Sequence, residues 1–183
     1  HRRERRLTTD GGPERLNGRL DWVYQEEIYG RGNYRAYWWS PTSSHLAFLQ
    51  LDETPVPEFT VVDHIPRRLA VETWDYPKPG DPNPGVKVGI VSAAGSPVAW
   101  VDLDRYSPFQ ILVTNVSWLP DGRLGSAGED GRILIGDLAG DSAADGQWQE
   151  VARHANFATD LLAFRDGRLL SAGYDGSLRV ADW

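Results

Sequence analysis

Asp121-Gly122-Arg123-Leu124-Gly125-Ser126-Ala127-Gly128-Glu129-Asp130-Gly131 returns further along the chain as Asp166-Gly167-Arg168-Leu169-Leu170-Ser171-Ala172-Gly173-Tyr174-Asp175-Gly176, an offset of 166 − 121 = 45 residues. Each copy holds two Asp-Gly pairs around a short run containing Leu, Ser and Ala. An Asp-Gly pair suits a tight turn between antiparallel strands, because glycine reaches positive φ without steric cost. A repeat of about 40–45 residues with several strands per unit is the signature of a β-propeller blade. Propellers close with about 4–8 blades of four strands. The expected fold is therefore all-β, a partial β-propeller of about four blades of antiparallel strands. A closed ring then needs more chain than these 183 residues supply, so a fragment is expected.

Composition agrees with this reading. The 19 glycines and 12 prolines are spread along the chain, which favours short strands and turns over long helices. Eight tryptophans and 40% apolar residues supply a core. The net charge of −7 argues against a nucleic-acid partner, and Arg2, Arg3, Arg5 and Arg6 read as a solvated strand face. There is no cysteine, which removes disulfides and thiolate metal ligands. No apolar run nears the roughly 20 residues of a membrane span. No signal peptide is visible, which leaves localisation open.

The first two thirds of the chain read as strands with one interruption. Arg15–Leu20 is a short strand after the turn Asp10-Gly11-Gly12-Pro13. Tyr34–Trp39 and His45–Leu51 pair as a hairpin around Ser40–Ser44. Further strands are expected at 58–65, 71–74, 86–91, 98–103 and 110–118. Tyr76–Gly85 carries Pro77, Pro79, Pro82 and Pro84 and is expected to be a rigid extended connector. The interruption is Asp21-Trp22-Val23-Tyr24-Gln25-Glu26-Glu27, which lacks alternation and suits a short helical turn inserted between strands. Adjacent carboxylates repel, the more so near a protein wall, and a bound cation relieves that repulsion.

Four motifs in order resemble the propeller domain of the dipeptidyl peptidase IV family of serine peptidases. They are Asp21–Glu27; Trp38-Trp39-Ser40-Pro41; Phe48–Thr54 with Val56-Pro57; and Tyr76–Gly80 with Asn83-Pro84. The resemblance implies that Glu26 and Glu27, on a short helical insertion, bind the free N-terminus of a peptide substrate. Tyr29 falls where the family lines the adjoining pocket. The family has a third Glu where this chain has Gln25. The resemblance further implies release of N-terminal dipeptides with Pro or Ala second, an α/β-hydrolase domain as partner elsewhere in the parent chain, a homodimer as one assembly, and a periplasmic or secreted setting.

Residues 121–183 are more similar to WD-repeat blades, through His154, Ser171, Asp175 and Val180-Ala181-Asp182. The repeat's Trp is replaced by Gly136 in one copy and Ala181 in the other, so its buried Trp–Ser–His–Asp network is not expected to close. The expected organisation is a dipeptidyl peptidase IV-like segment, 1–120, followed by WD-like blades, 121–183. No serine lies in a Gly-x-Ser-x-Gly elbow, so no catalytic residue is expected in this chain. The four histidines have no metal spacing, and neither metal nor cofactor is expected. A non-catalytic WD-like scaffold for protein interaction is the competing expectation.

Overall fold

The structure is a computed structural model and describes residues 4–103, 111–136 and 148–183. His1, Arg2, Arg3 and Gln110, on which some expectations rest, lie outside the described residues. Among the described residues, fourteen strands, β1 to β14, form four antiparallel sheets. The first sheet contains β1 (Arg15–Asn17), β2 (Tyr37–Trp39), β3 (His45–Asp52), β6 (Gly85–Ser92) and β7 (Ala99–Trp100). Its path runs β1-β3-β6-β7, with β2 also paired to β3. The second is a four-stranded meander of β8 (Val113–Trp118), β9 (Leu124–Gly128), β10 (Arg132–Gly136) and β11 (Trp148–Arg153). The third contains β12 (Ala158–Ala163), β13 (Arg168–Gly173) and β14 (Leu178–Asp182). The fourth is the hairpin β4 (Glu58–Asp63) with β5 (Ala70–Asp75).

The repeat maps directly onto these sheets. Asp121-Gly122 turns β8 into β9, and Asp130-Gly131 turns β9 into β10. Asp166-Gly167 and Asp175-Gly176 do the same between β12, β13 and β14. Gly122, Gly131, Gly167 and Gly176 all have positive φ, from 75° to 94°. At Gly131 space also decides, since a Cβ there would sit 2.3 Å from the His154 carbonyl oxygen. The expected boundary at 120/121 falls in the turn joining β8 to β9, inside one sheet.

Two cores hold the layers together. One lies under the helical turn and between the first two sheets, with Leu20, Tyr24, Leu49, Leu51, Val88 and Val113 among its members. The other joins the second and third sheets through Leu119, Ile133, Ile135, Ala158, Leu161 and Leu169. Each fully buried Leu contributes about 1.5–3 kcal/mol relative to exposure. Strand β3 is buried on both faces from Ala47 to Leu51, as a central strand must be. Phe48 needs its cross-strand partner Gly89, where a Cβ would approach the Phe48 ring to 2.6 Å.

Two expectations need correction. The connector 76–85 is not extended throughout. Lys78 and Asp81 close a turn, with Asp81 N–H donating to the Lys78 carbonyl at 2.9 Å and Lys78 N–H to Asp81 Oδ2 at 2.9 Å. Gly80, at φ 96°, permits it. The buried polar network also closes without its Trp. His154 Nε2 lies 2.9 Å from Ser171 Oγ, and His154 Nδ1 lies 3.0 Å from Asp175 Oδ1. Ser177 Oγ donates to Asp175 Oδ1 at 2.7 Å and takes up further bonding capacity of that carboxylate. Backbone and hydroxyl donors hold the Asp175 carboxyl well below the usual carboxylate range. The geometry imitates a Ser–His–Asp triad, yet Ser171 and His154 are both 2% exposed. Ser171 sits mid-strand with no room for a substrate, so this is a structural tie from the loop after β11 to β13 and the turn after it.

Candidate functional site

The interruption at 21–29 forms one wide helical turn, of π type over Tyr24–Ile28. Asp21 begins it: its Oδ1 accepts the Tyr24 N–H at 2.9 Å, a side-chain cap. Tyr29 N–H reaches back five residues to the Tyr24 carbonyl at 2.8 Å and closes it. The turn is clamped to β8 by two phenols. Val113 N–H donates to Tyr24 Oη at 3.2 Å, and Tyr29 Oη donates to the Val113 carbonyl at 3.1 Å. Burial pushes both phenols well above their ordinary pKa, so both stay neutral.

The sequence-predicted site residues part company here. Glu26 borders a cavity of about 780 Å³. The helical turn supplies Trp22, Gln25 and Glu26, the hairpin supplies Phe59 and Trp74, and the connector supplies Tyr76 and Lys78. Glu27 is exposed and does not line this cavity. Tyr29 does not line it either; its ring packs inward, 6.2 Å from Tyr24 and 5.9 Å from Trp38 between centroids. Of the sequence candidates Glu26 alone lines this cavity, and its aromatic wall, which forms only when the hairpin folds back, carried no sequence signal. Trp22 and Tyr76 meet at 4.2 Å between centroids, and Phe59 and Tyr76 at 5.8 Å, fastening the hairpin stem to the turn. Aromatic faces beside a carboxylate suit a cation, since both attract positive charge.

Gln25 organises the rim. Its Nε2 donates to Glu26 Oε2 at 3.5 Å, a long contact, and its Oε1 accepts the Gly32 N–H at 2.8 Å. Arg31 Nε stands 3.3 Å from Glu26 Oε2. Lys78 Nζ lies 4.5 Å above the Phe59 ring.

Behind the turn, Arg19, Asp21, Glu53 and Asp75 line a smaller cavity of about 170 Å³. Asp21 Oδ2 is buried without a hydrogen-bond partner. Burial, with the nearby carboxylates of Asp21 and Asp75, pushes the Glu53 carboxyl up to about 7. Burial likewise raises Asp21. These acids back the turn and do not line the larger cavity. Among the described residues no group of three or more His, Asp or Glu is placed to hold a metal ion. No helix among them is long and apolar enough to cross a membrane.

A "Probable dipeptidyl peptidase 4" of Emericella nidulans is 39% identical over 124 residues, covering 63% of this chain and 15% of the relative. One of Aspergillus flavus is 34% identical over 122 residues, covering 63% and 16%. The chain thus spans about 15% of the length of the curated relatives it matches. Among solved structures, the dipeptidyl peptidase 4 of Porphyromonas gingivalis superposes with a TM-score of 0.75 at 21% identity, covering 96% of this chain and 26% of that one. A putative dipeptidyl aminopeptidase IV from Bacteroides ovatus gives 0.67 at 20%, covering 90% and 24%. At these identities the likeness is one of fold, and it extends over the repeat blades. The resemblance of residues 121–183 to WD repeats gains no support from these matches, and the scaffold alternative is not favoured. Residues 1–127, containing the capped turn, the clamp and the aromatic cavity, match the model of the dipeptidyl peptidase IV (DPP IV) N-terminal region, and the chain belongs to that family.

Proposed function

We propose that this chain is the substrate-gating part of a serine dipeptidyl aminopeptidase, and that Glu26 receives the free α-ammonium of the peptide. The observation that carries the reading is the half-buried Glu26 carboxylate at the edge of a cavity walled by Trp22, Phe59, Trp74 and Tyr76. Glu27 follows on the solvent side of the same turn and serves as the second carboxylate once a peptide is bound. Tyr29 acts from beneath by holding the turn on β8. Residues 1–120 hold the recognition segment, and residues 121–183 form the repeat blades it leans on.

The physical logic is a measurement of length. An exopeptidase that removes dipeptides must sense where its substrate begins. A free amino terminus carries a charge that an internal amide lacks. Charge-assisted hydrogen bonds are roughly twice as strong as neutral ones. A fixed anion holds the peptide end, and that positioning lowers the barrier to cleavage at a bond set two residues away. The nucleophile belongs to an α/β-hydrolase domain of the parent protein. Preference for Pro or Ala in second position belongs to that domain's pocket.

The test uses the full-length parent protein. Glu26→Ala is expected to cost about 2–5 kcal/mol in kcat/KM on Ala-Pro-type substrates with a free amine, roughly 30-fold or more. N-acetylating the substrate should cost the wild-type enzyme a similar factor and the variant little more. Near-wild-type cleavage by Glu26→Ala would remove Glu26 from the role.

A further inference from the structure

We infer that Arg31 is the resident cation of the Glu26 site, the group an arriving ammonium must displace, and so a residue that sets which cations the site accepts. The inference rests on reading Glu26 as the ammonium anchor. It begins with the ion pair: Arg31 Nε lies 3.3 Å from Glu26 Oε2, with side-chain exposures of 85% and 24% respectively. The pair is lopsided. The guanidinium keeps most of its water whether it is paired or not, whereas the carboxylate cannot leave the cavity edge. An exchange therefore costs little on the arginine side and leaves Glu26 in place for a new partner.

The backbone is shaped to bring Arg31 there. Gly30 and Gly32, at φ 97° and 81°, flank it, and Asn33 N–H closes the bend on the Gly30 carbonyl at 2.9 Å. Side chains rarely adopt such backbone angles, so glycine on both sides lets the chain fold back over the helical turn. Gln25 then fixes the distance, holding Gly32 through its Oε1 while its Nε2 faces Glu26 Oε2. A glutamate in place of Gln25 could accept the Gly32 N–H but would present like charge to Glu26. The Gln25 amide and the Arg31 bend thus work as one device.

The charge sum of the cavity gives the device its effect. Among the described residues its lining holds one acid, Glu26, and two bases, Arg31 and Lys78. Lys78 is engaged on the Phe59 ring. With Arg31 seated, Glu26 is neutralised, and a small cation gains little by entering. A peptide amino terminus brings side-chain and backbone contacts that the aromatic wall can take up, and so offsets the loss of the pair. Selection falls on cations attached to a peptide.

The experiment compares full-length wild type, Arg31→Ala, Arg31→Lys, Glu26→Gln and the Glu26→Gln/Arg31→Ala double variant. Steady-state cleavage of an Ala-Pro-type substrate is followed at low and at high salt, with methylammonium as an added competitor. Arg31→Ala is expected to lower KM about 2- to 5-fold at low salt with kcat unchanged, the range an exposed ion pair of about 0.4–1 kcal/mol corresponds to. The gain should shrink at high salt, as screened charges require. Methylammonium should inhibit Arg31→Ala at a several-fold lower concentration than wild type. Arg31→Lys should stay near wild type, and the double variant should show no gain over Glu26→Gln. An unchanged or raised KM in Arg31→Ala, while Glu26→Gln still loses its preference for free over N-acetylated substrate, overturns the resident-cation role and leaves the anchor standing. Should Glu26→Gln keep that preference, the anchor and this inference fall together.

Discussion

Replacing Tyr24 by Phe removes one oxygen atom from the base of the helical turn, and the structure says what that atom holds. Tyr24 is fully buried, and its hydroxyl is the acceptor for the Val113 N–H at 3.2 Å. Val113 is itself 6% exposed, so the freed donor finds no water. A buried donor left unpaired costs about 1–3 kcal/mol, and the long contact here argues for about 1. That raises local opening of the turn and of the start of β8 about 5-fold. Tyr29→Phe strips a donor from the carbonyl of the same Val113, for a net bond of about 0.5–1.5 kcal/mol. Because both phenols grip one residue, the double variant should cost less than the sum of the singles. Amide hydrogen exchange on the parent protein reads this at Val113 and at the amides of residues 24–29. Protection at Val113 that is the same in Tyr24→Phe as in wild type would refute the clamp.

Two further outcomes follow from the buried polar groups. Glu53, raised from 4.5 to about 7, binds a proton in the folded protein over a range where the unfolded chain has lost it, so stability falls as pH rises from about 4.5 through about 7 and levels off above. Halved for partial solvent screening, the shift is worth about 1–2 kcal/mol, and Glu53→Gln should melt higher than wild type at pH 8 but not at pH 4.5; an equal difference at both pH values would contradict the assignment. In the third sheet, His154→Ala should cost about 2–4 kcal/mol by leaving Ser171 and Asp175 without their imidazole and opening a void. Thermal unfolding measures it, and a melting point within 1 °C or so of wild type would show that the network holds nothing.

What could be read from residues alone was what local chemistry determines. The Asp-Gly pairs at an offset of 45 announced β8 to β10 and β12 to β14, because positive φ at Gly122, Gly131, Gly167 and Gly176 is a property of those positions themselves. The helical turn was legible from the lack of alternation after Asp21, and β3 from its apolar run. What stayed hidden depends on distant partners. Tyr29 looked like a pocket residue, but Val113, 84 positions away, draws its hydroxyl inward. Glu26 and Glu27 looked equivalent, yet the advance of one residue along the turn puts one at the cavity and the other in solvent. The loss of a Trp suggested that the His154 network could not form, but Ser177 and the Ala155 N–H supply the Asp175 carboxylate with alternative donors. Arg31 carried no signal beyond its two flanking glycines.

The β4–β5 hairpin has a consequence for the cavity it encloses. Phe59, Val61, Val62, Val71 and Trp74 are all exposed, so the ribbon buries little of its own surface. A lone two-stranded ribbon is marginal in water. Its order is borrowed from the contacts of Trp22 and Phe59 with Tyr76 at the foot. One side of the Glu26 cavity is thus built from a ribbon that would not stand unaided. A ligand seated against Phe59 and Trp74 would give that ribbon the second face it lacks, so that occupancy and local order would rise together.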